Sequence, residues 1–312
     1  VCHWNRQGTQ DQHDADTLLV DAAVDRLGRL DGPTFMWIHL VDPHAPYEAR
    51  EPHYSDFGAP DAPGEFDPGD EGALADVNLG TRAITAEEHA QVEAAYASQV
   101  AAVDNLFGRL LDALDANGQS DAVVLLGADH GEELGLHGHY YWHSCSTYNP
   151  AMVVSYALRA PGRLAPGGVV TTPVPIVDLA PTLAEVAGLQ WSGDTDGTSL
   201  VGELRSCRVE SRPAFFERDT KGAGMVLGDQ KVVIEPEGKA TDCTPYSAEA
   251  PYVVASQQLY DLADDPDECT NLADDDPTTF GALREQVCDW VTSGAWVESN
   301  NDRNVLVKAC GG

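Results

Sequence analysis

Apolar residues recur at two different spacings along this chain, and the two spacings predict different elements. Helical spacing predicts one helix over residues 14–30 and a longer one over residues 86–117, with Gly118 as its stop. Short runs rich in apolar and β-branched residues predict buried strands at 34–41 and 122–127. Because helices and strands alternate, we expect an α/β fold with a mainly parallel sheet flanked by helices.

The segments between and after these elements are less regular. Residues 48–85 are rich in Pro, Gly and Asp and show little periodicity, so they predict a long loop, which in a compact domain is usually functional or disordered. Residues 151–158 predict a further strand. Residues 178–188 predict a short helix with Asp178 as its N-cap or first-turn acid.

The pattern changes after about residue 197, where short β-like runs alternate with polar turns. The runs lie at 214–216, 224–227, 231–234 and 258–261, and a final helix is predicted at 277–291. We therefore expect a main α/β domain over residues 1–196 and a smaller α+β subdomain over 197–312, with a small antiparallel sheet and a terminal helix.

The charge of the chain restricts its partners. The formal net charge is -33, from 51 acidic and 18 basic residues, which argues against nucleic acid or an anionic membrane as a partner. No apolar run is long enough to span a membrane. An anionic substrate would need a local cationic pocket. The seven cysteines include no Cys-x-x-Cys pair, and their scatter is typical of an exported protein with a few disulfides of unknown connectivity.

The residues that follow the strand at 122–127 are the main candidates for chemistry. Ligands in open α/β sheets bind at the carboxyl ends of strands, and Asp129 and His130 stand there with Gly131 permitting a tight turn. A carboxylate and an imidazole placed in this way can bind one divalent cation. The alternative is a turn in which Asp129 only caps the next segment.

Other histidines and acids are weaker candidates. His44 lies between Pro43 and Pro46, so its imidazole is restricted in direction and could contact an oxyanion or act as an acid; a surface turn is the alternative. Of the cluster His137, His139 and His143, which suggests a zinc site or a substrate-contacting loop, we expect one functional member. The acids Glu132 and Glu133 are expected on a solvated face.

Five segments, in order, resemble the sulfatases of the alkaline phosphatase superfamily. They are FMWIHLVDPHAPY, VVLLGADHGEELGLHGH, HSCSTYNPAMVVSYALRAPG, PVPIVDLAPTLAEVAGL and LYDLADDPDECTNLADDDP. The resemblance implies an alkaline phosphatase-like fold. It also implies that Asp129 and His130 are ligands of a single divalent cation, usually calcium, that His44 and His143 are catalytic and contact the sulfate, and that His137 and Asp178 have structural roles.

The mechanism that the resemblance implies uses a cysteine converted to formylglycine, whose hydrate attacks sulfur. The family's Cys/Ser-x-Pro-x-Arg motif and its Asp-Asp ligand pair are absent from these 312 residues. We therefore expect the larger, C-terminal part of a sulfuric ester hydrolase, inactive by itself. The expected substrate is a small-molecule or glycan sulfate ester, and the expected location is periplasmic, extracellular or lipid-anchored through a preceding segment.

Two alternatives stay open on the sequence. Phosphonate or phosphodiester hydrolases and phosphoglycerol transferases of the same superfamily share the Asp-His-Gly ligands. A non-catalytic binding protein could also keep the fold, although nothing structural requires Asp129, His130, His44 and His143 together.

Overall fold

The chain divides into two units, Val1–Ala122 and Val123–Gly312, which are described separately below. The computed structural model describes residues 12–58, 66–138, 140–143, 146–191, 193–218, 222–235, 256–293, 306–307 and 309–311. The domain boundary predicted between residues 196 and 197 is a different division, and it stays a prediction.

The first unit contains four helices in its described part. They are α1 (Gln12–Leu27), α2 (His53–Asp56), α3 (Glu71–Leu79) and α4 (Ala86–Ala116). The two helices predicted from apolar spacing are confirmed as α1 and α4. The loop predicted over residues 48–85 is wrong in part, because α2 and α3 form within it. The start of α3 is stabilised by Asp70, whose carboxylate accepts from the backbone N–H groups of Gly72 and Ala73.

The long helix α4 begins at a capping box and packs on α1. Thr85 Oγ1 accepts from the Glu88 N–H at 3.1 Å, and the Glu88 carboxylate accepts from the Thr85 N–H at 2.9 Å. The buried apolar side chains that join the two helices are Val20, Ala23, Leu106 and Leu110. The segment 34–41 packs on this cluster.

The buried strand predicted at residues 34–41 is not formed in the described part of the chain. The segment has no regular strand pairing there, but its side chains alternate. Met36, Ile38 and Leu40 pack against the cluster between α1 and α4. Phe35 and Trp37 are 75% and 79% exposed. Only every second side chain of this run is therefore packed in the core, and the side chains between them face outward. The run is half exposed, although its composition predicts burial on both faces.

The second unit is mixed helix and sheet, in agreement with the predicted α/β class. Its elements are β1 (Val124–Leu126), β2 (Glu133–Leu134), β3 (Tyr141–Trp142), α5 (Asn149–Met152), β4 (Ala157–Arg159), α6 (Leu179–Val186), α7 (Val201–Ser206), β5 (Ala214–Arg218), β6 (Gly222–Leu227), β7 (Gln230–Ile234), β8 (Gln257–Asp261) and α8 (Pro277–Thr292). A 3₁₀ turn over Ile176–Asp178 leads directly into α6.

The strands of the described part pair antiparallel, not parallel as predicted. β1 pairs with β4 in the register Leu125↔Leu158. The chain between them forms the hairpin β2–β3 and the single turn α5 instead of a crossover helix, so β4 returns antiparallel. The strand predicted at 151–158 is accordingly shorter and follows α5. Leu126 is 39% exposed, so β1 is not buried on both faces, because β4 is its one neighbour among the described strands.

The last part of the chain forms a four-stranded antiparallel sheet in the order β5–β6–β7–β8. Each of the four β-like runs recognised after residue 197 lies within one of these strands, and the run at 277–291 lies within α8. One face of the sheet packs on α8, with Met225, Val232 and Leu259 in the same apolar core as Phe280 and Val287. These side chains are buried in one apolar core that joins the sheet to α8.

The described part of the second unit contains four cysteines, of which three are disulfide-bonded. Cys288 and Cys310 form a disulfide, Cys269 is also disulfide-bonded, and Cys207 is free and exposed. The remaining cysteines, Cys2, Cys145 and Cys243, lie outside the described residues. Within the described part, no helix combines the length and the apolar content that crossing a membrane requires.

Asp178 stands at the predicted N-cap position of α6, but its side chain makes no capping hydrogen bond. Instead the buried carboxylate accepts from the Thr198 N–H at 2.7 Å and forms an ion pair with Arg212, which raises the pKa of the guanidinium. The carboxylate thus joins the start of α6 to residues 198 and 212.

Glu235 makes the stability of the second unit depend on pH. It is buried at the end of β7, 3.4 Å from an Arg218 nitrogen, and burial raises its pKa from 4.5 to about 6. A carboxyl whose pKa is raised on folding stabilises the folded state fully below the unfolded value, and this contribution is lost as the pH rises through 6. The loss amounts to about 2 kcal/mol.

We expect Glu235→Gln to remove this pH dependence. Between pH 4 and pH 7.5, the free energy of unfolding of the wild type should fall by about 2 kcal/mol relative to the variant, as measured by urea unfolding at several pH values. Glu285→Gln on the exposed face of α8 is the control for the removal of a surface carboxylate. A parallel pH profile for Glu235→Gln and wild type would contradict the assignment.

Candidate functional site

The Asp-His-Gly turn after β1 places two potential metal donors side by side. His130 Nδ1 donates to the Gly131 carbonyl at 2.8 Å, which makes Nε2 the ring nitrogen with the lone pair. This Nε2 lies 3.9 Å from Asp129 Oδ1, and the two side chains are 42% and 71% exposed. Two donors at this separation fit one cation with bonds of about 2.0–2.6 Å.

The backbone of this turn is held by a close approach of α5. The Gly131 N–H donates to the Ala151 carbonyl at 2.8 Å. A Cβ atom at position 131 would stand 2.0 Å from the Pro150 carbonyl oxygen, so only glycine fits. On the other side, the Tyr156 hydroxyl donates to the Ala128 carbonyl at 2.7 Å. Burial, and then the nearby Asp129, raise the pKa of Tyr156, so the hydroxyl stays a donor.

His143 is the second side chain that the structure brings to this turn. Its ring lies against that of His130, with ring centroids 4.1 Å apart and an angle of 33° between the planes. Its Nδ1 lies 3.2 Å from Glu132 Oε1. The residue before it, Trp142, has a φ of 82°, an unfavourable conformation for a non-glycine residue. Trp142 adopts this conformation directly before His143, whose ring lies against His130.

The prediction that Glu132 and Glu133 lie on a solvated face is wrong. Glu132 is only 9% exposed and faces His143, and Glu133 is fully buried. Glu133 accepts from the Ser146 hydroxyl at 2.6 Å and lies 3.3 Å from His137 Nδ1. A buried carboxylate needs such partners, and here the two partners lie on either side of His143 in the sequence.

Of the three histidines in the cluster, His137 has a structural position. It is 1% exposed, its ring stacks on Tyr148 at 3.7 Å, and its Nε2 donates to the Asp267 carbonyl at 2.8 Å. These contacts agree with the structural role that the sequence resemblance implies. His139 lies outside the described residues.

His44 lies in the first unit, whereas Asp129, His130 and His143 lie in the second. Its loop is fixed by the Asp16 carboxylate, which accepts from the N–H groups of Val41 and Asp42. The His44 ring is exposed, its Nδ1 donates to the Ala45 carbonyl at 2.6 Å, and the peptide bonds before Pro43 and Pro46 are cis. Its participation in the same site stays a prediction.

Sequence reasoning missed a buried ion pair behind the site. Lys231 on β7 is fully buried, and its Nζ lies 2.5 Å from Glu268 Oε1. Burial lowers the pKa of Lys231, and the negative charge of Glu268 opposes that shift. A charged residue opening the apolar run Lys231–Ile234 and the lone Glu268 of the Asp-Pro-x-Glu segment were the available signals.

The described residues include two candidate metal ligands, Asp129 and His130. Among the described residues, no group of three or more His, Cys, Asp or Glu side chains is arranged to hold a metal ion. Asp129 and His130 fit a cation as a pair, through one carboxylate oxygen and one imidazole nitrogen. Further ligands would have to come from groups outside this pair.

Comparisons with known proteins identify the family of this arrangement. The model of the Sulfatase family matches residues 2–189, a range that includes all four candidate residues. The chain is 29% identical over 208 residues to arylsulfatase K of Xenopus laevis, covering 62% of this chain and 36% of that protein. It is 28% identical over 275 residues to choline-sulfatase of Rhizobium meliloti (strain 1021), covering 81% of this chain and 50% of that protein.

Solved structures share the fold. One, of a protein in complex with its substrate D-glucosamine-2-N,6-O-disulfate, has a TM-score of 0.68 at 18% identity, covering 93% of this chain and 71% of that one. At this identity the likeness shows the fold alone. The chain spans half or less of the length of the two curated relatives named above.

We expect Gly131→Ala to destabilise the second unit by more than about 2 kcal/mol, because the added methyl group meets backbone that cannot move away. Gly108→Ala in α4 is the matched control. A Cβ there has nothing within 4 Å, so alanine should be neutral or stabilising by up to about 1 kcal/mol. Urea unfolding measures both, and equal effects of the two substitutions would contradict the close approach.

Proposed function

The chain belongs to the sulfatase family, and from this premise we propose that it is the metal-binding part of an enzyme that hydrolyses sulfate esters. The observation that carries the proposal is the Asp129–His130 pair with the His143 ring tilted against that of His130, at a centroid distance of 4.1 Å. These 312 residues contain no Cys/Ser-x-Pro-x-Arg motif. The proposal therefore assigns the nucleophile, a formylglycine, to residues outside them.

Each residue of the site has a part in this chemistry. Asp129 and His130 hold one divalent cation, which we propose is calcium; when bound, it supplies positive charge to the oxygens of the sulfate group. His143 donates a hydrogen bond to a sulfate or leaving-group oxygen, with Glu132 fixing its ring. The sequence resemblance assigns the second imidazole contact to His44. The groups of the second unit give an anionic substrate a local site in a chain of net charge -33.

The substrate class and the location are part of the same proposal. A sulfate ester of a small molecule or of a glycan is supported by the choline-sulfatase relative and by the disulfated glucosamine bound to a protein of the same fold. An exported location is supported by the Cys288–Cys310 disulfide and the bonded Cys269, since disulfides persist in oxidising compartments.

Calcium binding tests the cation site directly. Titration calorimetry with the 312-residue chain should show one Ca²⁺ site. The Asp129→Asn variant should bind Ca²⁺ with a dissociation constant at least tenfold larger, because a charged ligand is lost. Asp194→Asn, an exposed aspartate of the same unit, is the control and should leave the constant unchanged. If Asp129→Asn and wild type bound Ca²⁺ equally, the ligand assignment would be wrong.

Turnover tests the reaction. We expect no hydrolysis of 4-nitrophenyl sulfate by the 312-residue chain and clear hydrolysis by the protein expressed with the coding sequence that precedes residue 1. In that longer protein, Asp129→Asn and His143→Ala should each lower kcat/KM at least a hundredfold. Turnover by the 312 residues alone would overturn the assignment of the nucleophile, and preference for a phenyl phosphonate ester would favour the phosphonate hydrolase branch instead.

A further inference from the structure

We propose that Lys231 and Glu268 are a pair of positioning residues that hold residues 146–151, which follow His143, and through them the Asp129–His130 turn. The inference concerns geometry in the second unit, and its functional consequence rests on the proposed sulfatase activity. Neither residue touches the candidate ligands, so both act through the segment 146–151.

The Lys231 ammonium group contacts Glu268 and the residues at the start of α5. Besides Glu268 Oε1 at 2.5 Å, its Nζ donates to the Thr147 carbonyl at 2.6 Å and to Asn149 Oδ1 at 3.0 Å. The contact with Glu268 is an ion pair, and the two hydrogen bonds go to residues 147 and 149, just before and at the start of α5.

Glu268 holds the same segment from the other side. One carboxylate oxygen meets Lys231, and the other accepts from the Asn149 backbone N–H at the start of α5. The Asn149 Nδ2 also donates to the Pro266 carbonyl at 3.3 Å. Three atoms of Asn149 are therefore held. Glu268 binds its backbone N–H, Lys231 binds its Oδ1, and the Pro266 carbonyl accepts from its Nδ2.

From Asn149 the constraint reaches the metal-ligand turn through α5. This helix has a single turn, Asn149–Met152, and its Pro150 and Ala151 carbonyls are the ones that contact Gly131. A shift of Asn149 would move these two carbonyls relative to the Gly131 backbone, which is packed closely against them. The position of the Asp129–His130 turn is thereby set by the buried pair.

Parallel contacts act in the same direction. The Thr147 hydroxyl donates to Glu235 at 3.4 Å, and His137, stacked on Tyr148, donates to the Asp267 carbonyl. The segment that follows His143 is thus attached to β7 and to the loop after β8 at several points. Because a buried ion pair is a weak source of net stability, its placement behind the site is better explained by the geometry that it specifies.

The test replaces both charges at once with side chains of similar size. Lys231→Met combined with Glu268→Met removes the three bonds to Thr147 and Asn149 without leaving an unpaired buried charge. Amide hydrogen exchange, followed by NMR, should be at least tenfold faster at the Gly131 N–H, whose acceptor is on α5. The amides of Val232 and Leu259 in the sheet should stay within twofold of wild type.

A matched control uses the Asp178–Arg212 ion pair of the same unit. Asp178→Leu combined with Arg212→Met removes this ion pair at the start of α6 and should leave exchange at Gly131 within twofold. If the first double variant lost protection in its sheet, Asn149→Ala would replace it, because this change removes only the side-chain bonds to Lys231 and Pro266. Unchanged exchange at Gly131 in either folded variant would overturn the proposal.

Calcium titration separates this inference from the proposed function. Where wild type binds Ca²⁺, the Lys231→Met/Glu268→Met variant should bind it at least tenfold more weakly. In the longer, active protein the same variant should lower kcat more than it raises KM. Where wild type binds no Ca²⁺, the proposed function fails, and the exchange at Gly131 still decides whether the pair positions the turn.

Discussion

The contact on which the candidate site depends is the close approach of the Gly131 backbone to the carbonyls of Pro150 and Ala151. It brings a turn that follows a strand and a helix that begins 18 residues later to within hydrogen-bonding distance. Only a residue without Cβ permits it. Since Asp129 and His130 directly precede this glycine, the direction of both potential ligands is fixed by backbone packing and not by the ligands themselves.

The energetics of the second unit follow from its charges. The chain has 18 basic residues against 51 acidic ones and only four lysines, yet one of these lysines is fully buried. Burying an ammonium group costs several kcal/mol unless it is paired and hydrogen-bonded, and Lys231 meets both conditions. Glu133 and Glu235 are buried nearby with their own partners. The result is a layer of paired polar side chains between the C-terminal sheet and residues 146–151. Such a network is satisfied in one arrangement only.

Much of the fold could be predicted from local pattern, and the failures concern contacts between segments that are distant in sequence. The helices α1 and α4 and the strands β5–β8 were found because spacing alone identifies an apolar face. The run at 34–41 and β1 were predicted to be buried, but composition does not state whether a second face is covered. Asp129, His130 and Gly131 were identifiable because consecutive residues at a strand end share one location. Lys231 and Glu268 were not, since they meet across 37 residues of sequence and only tertiary packing joins them.

The C-terminal signature LYDLADDPDECTNLA acquires a physical explanation from these contacts. The Asp265 carboxylate accepts from the N–H groups of Cys269 and Thr270 at 3.0 and 2.7 Å, and Asn271 bonds the backbone of β8 through both side-chain atoms. Within this rigid loop Glu268 adopts a φ of 55°, which is unusual for a glutamate. The loop thus presents the Glu268 carboxylate to Lys231 and Asn149 and the Asp267 carbonyl to His137. A segment far from Asp129 in sequence therefore acts on the candidate site through the helix that packs against Gly131.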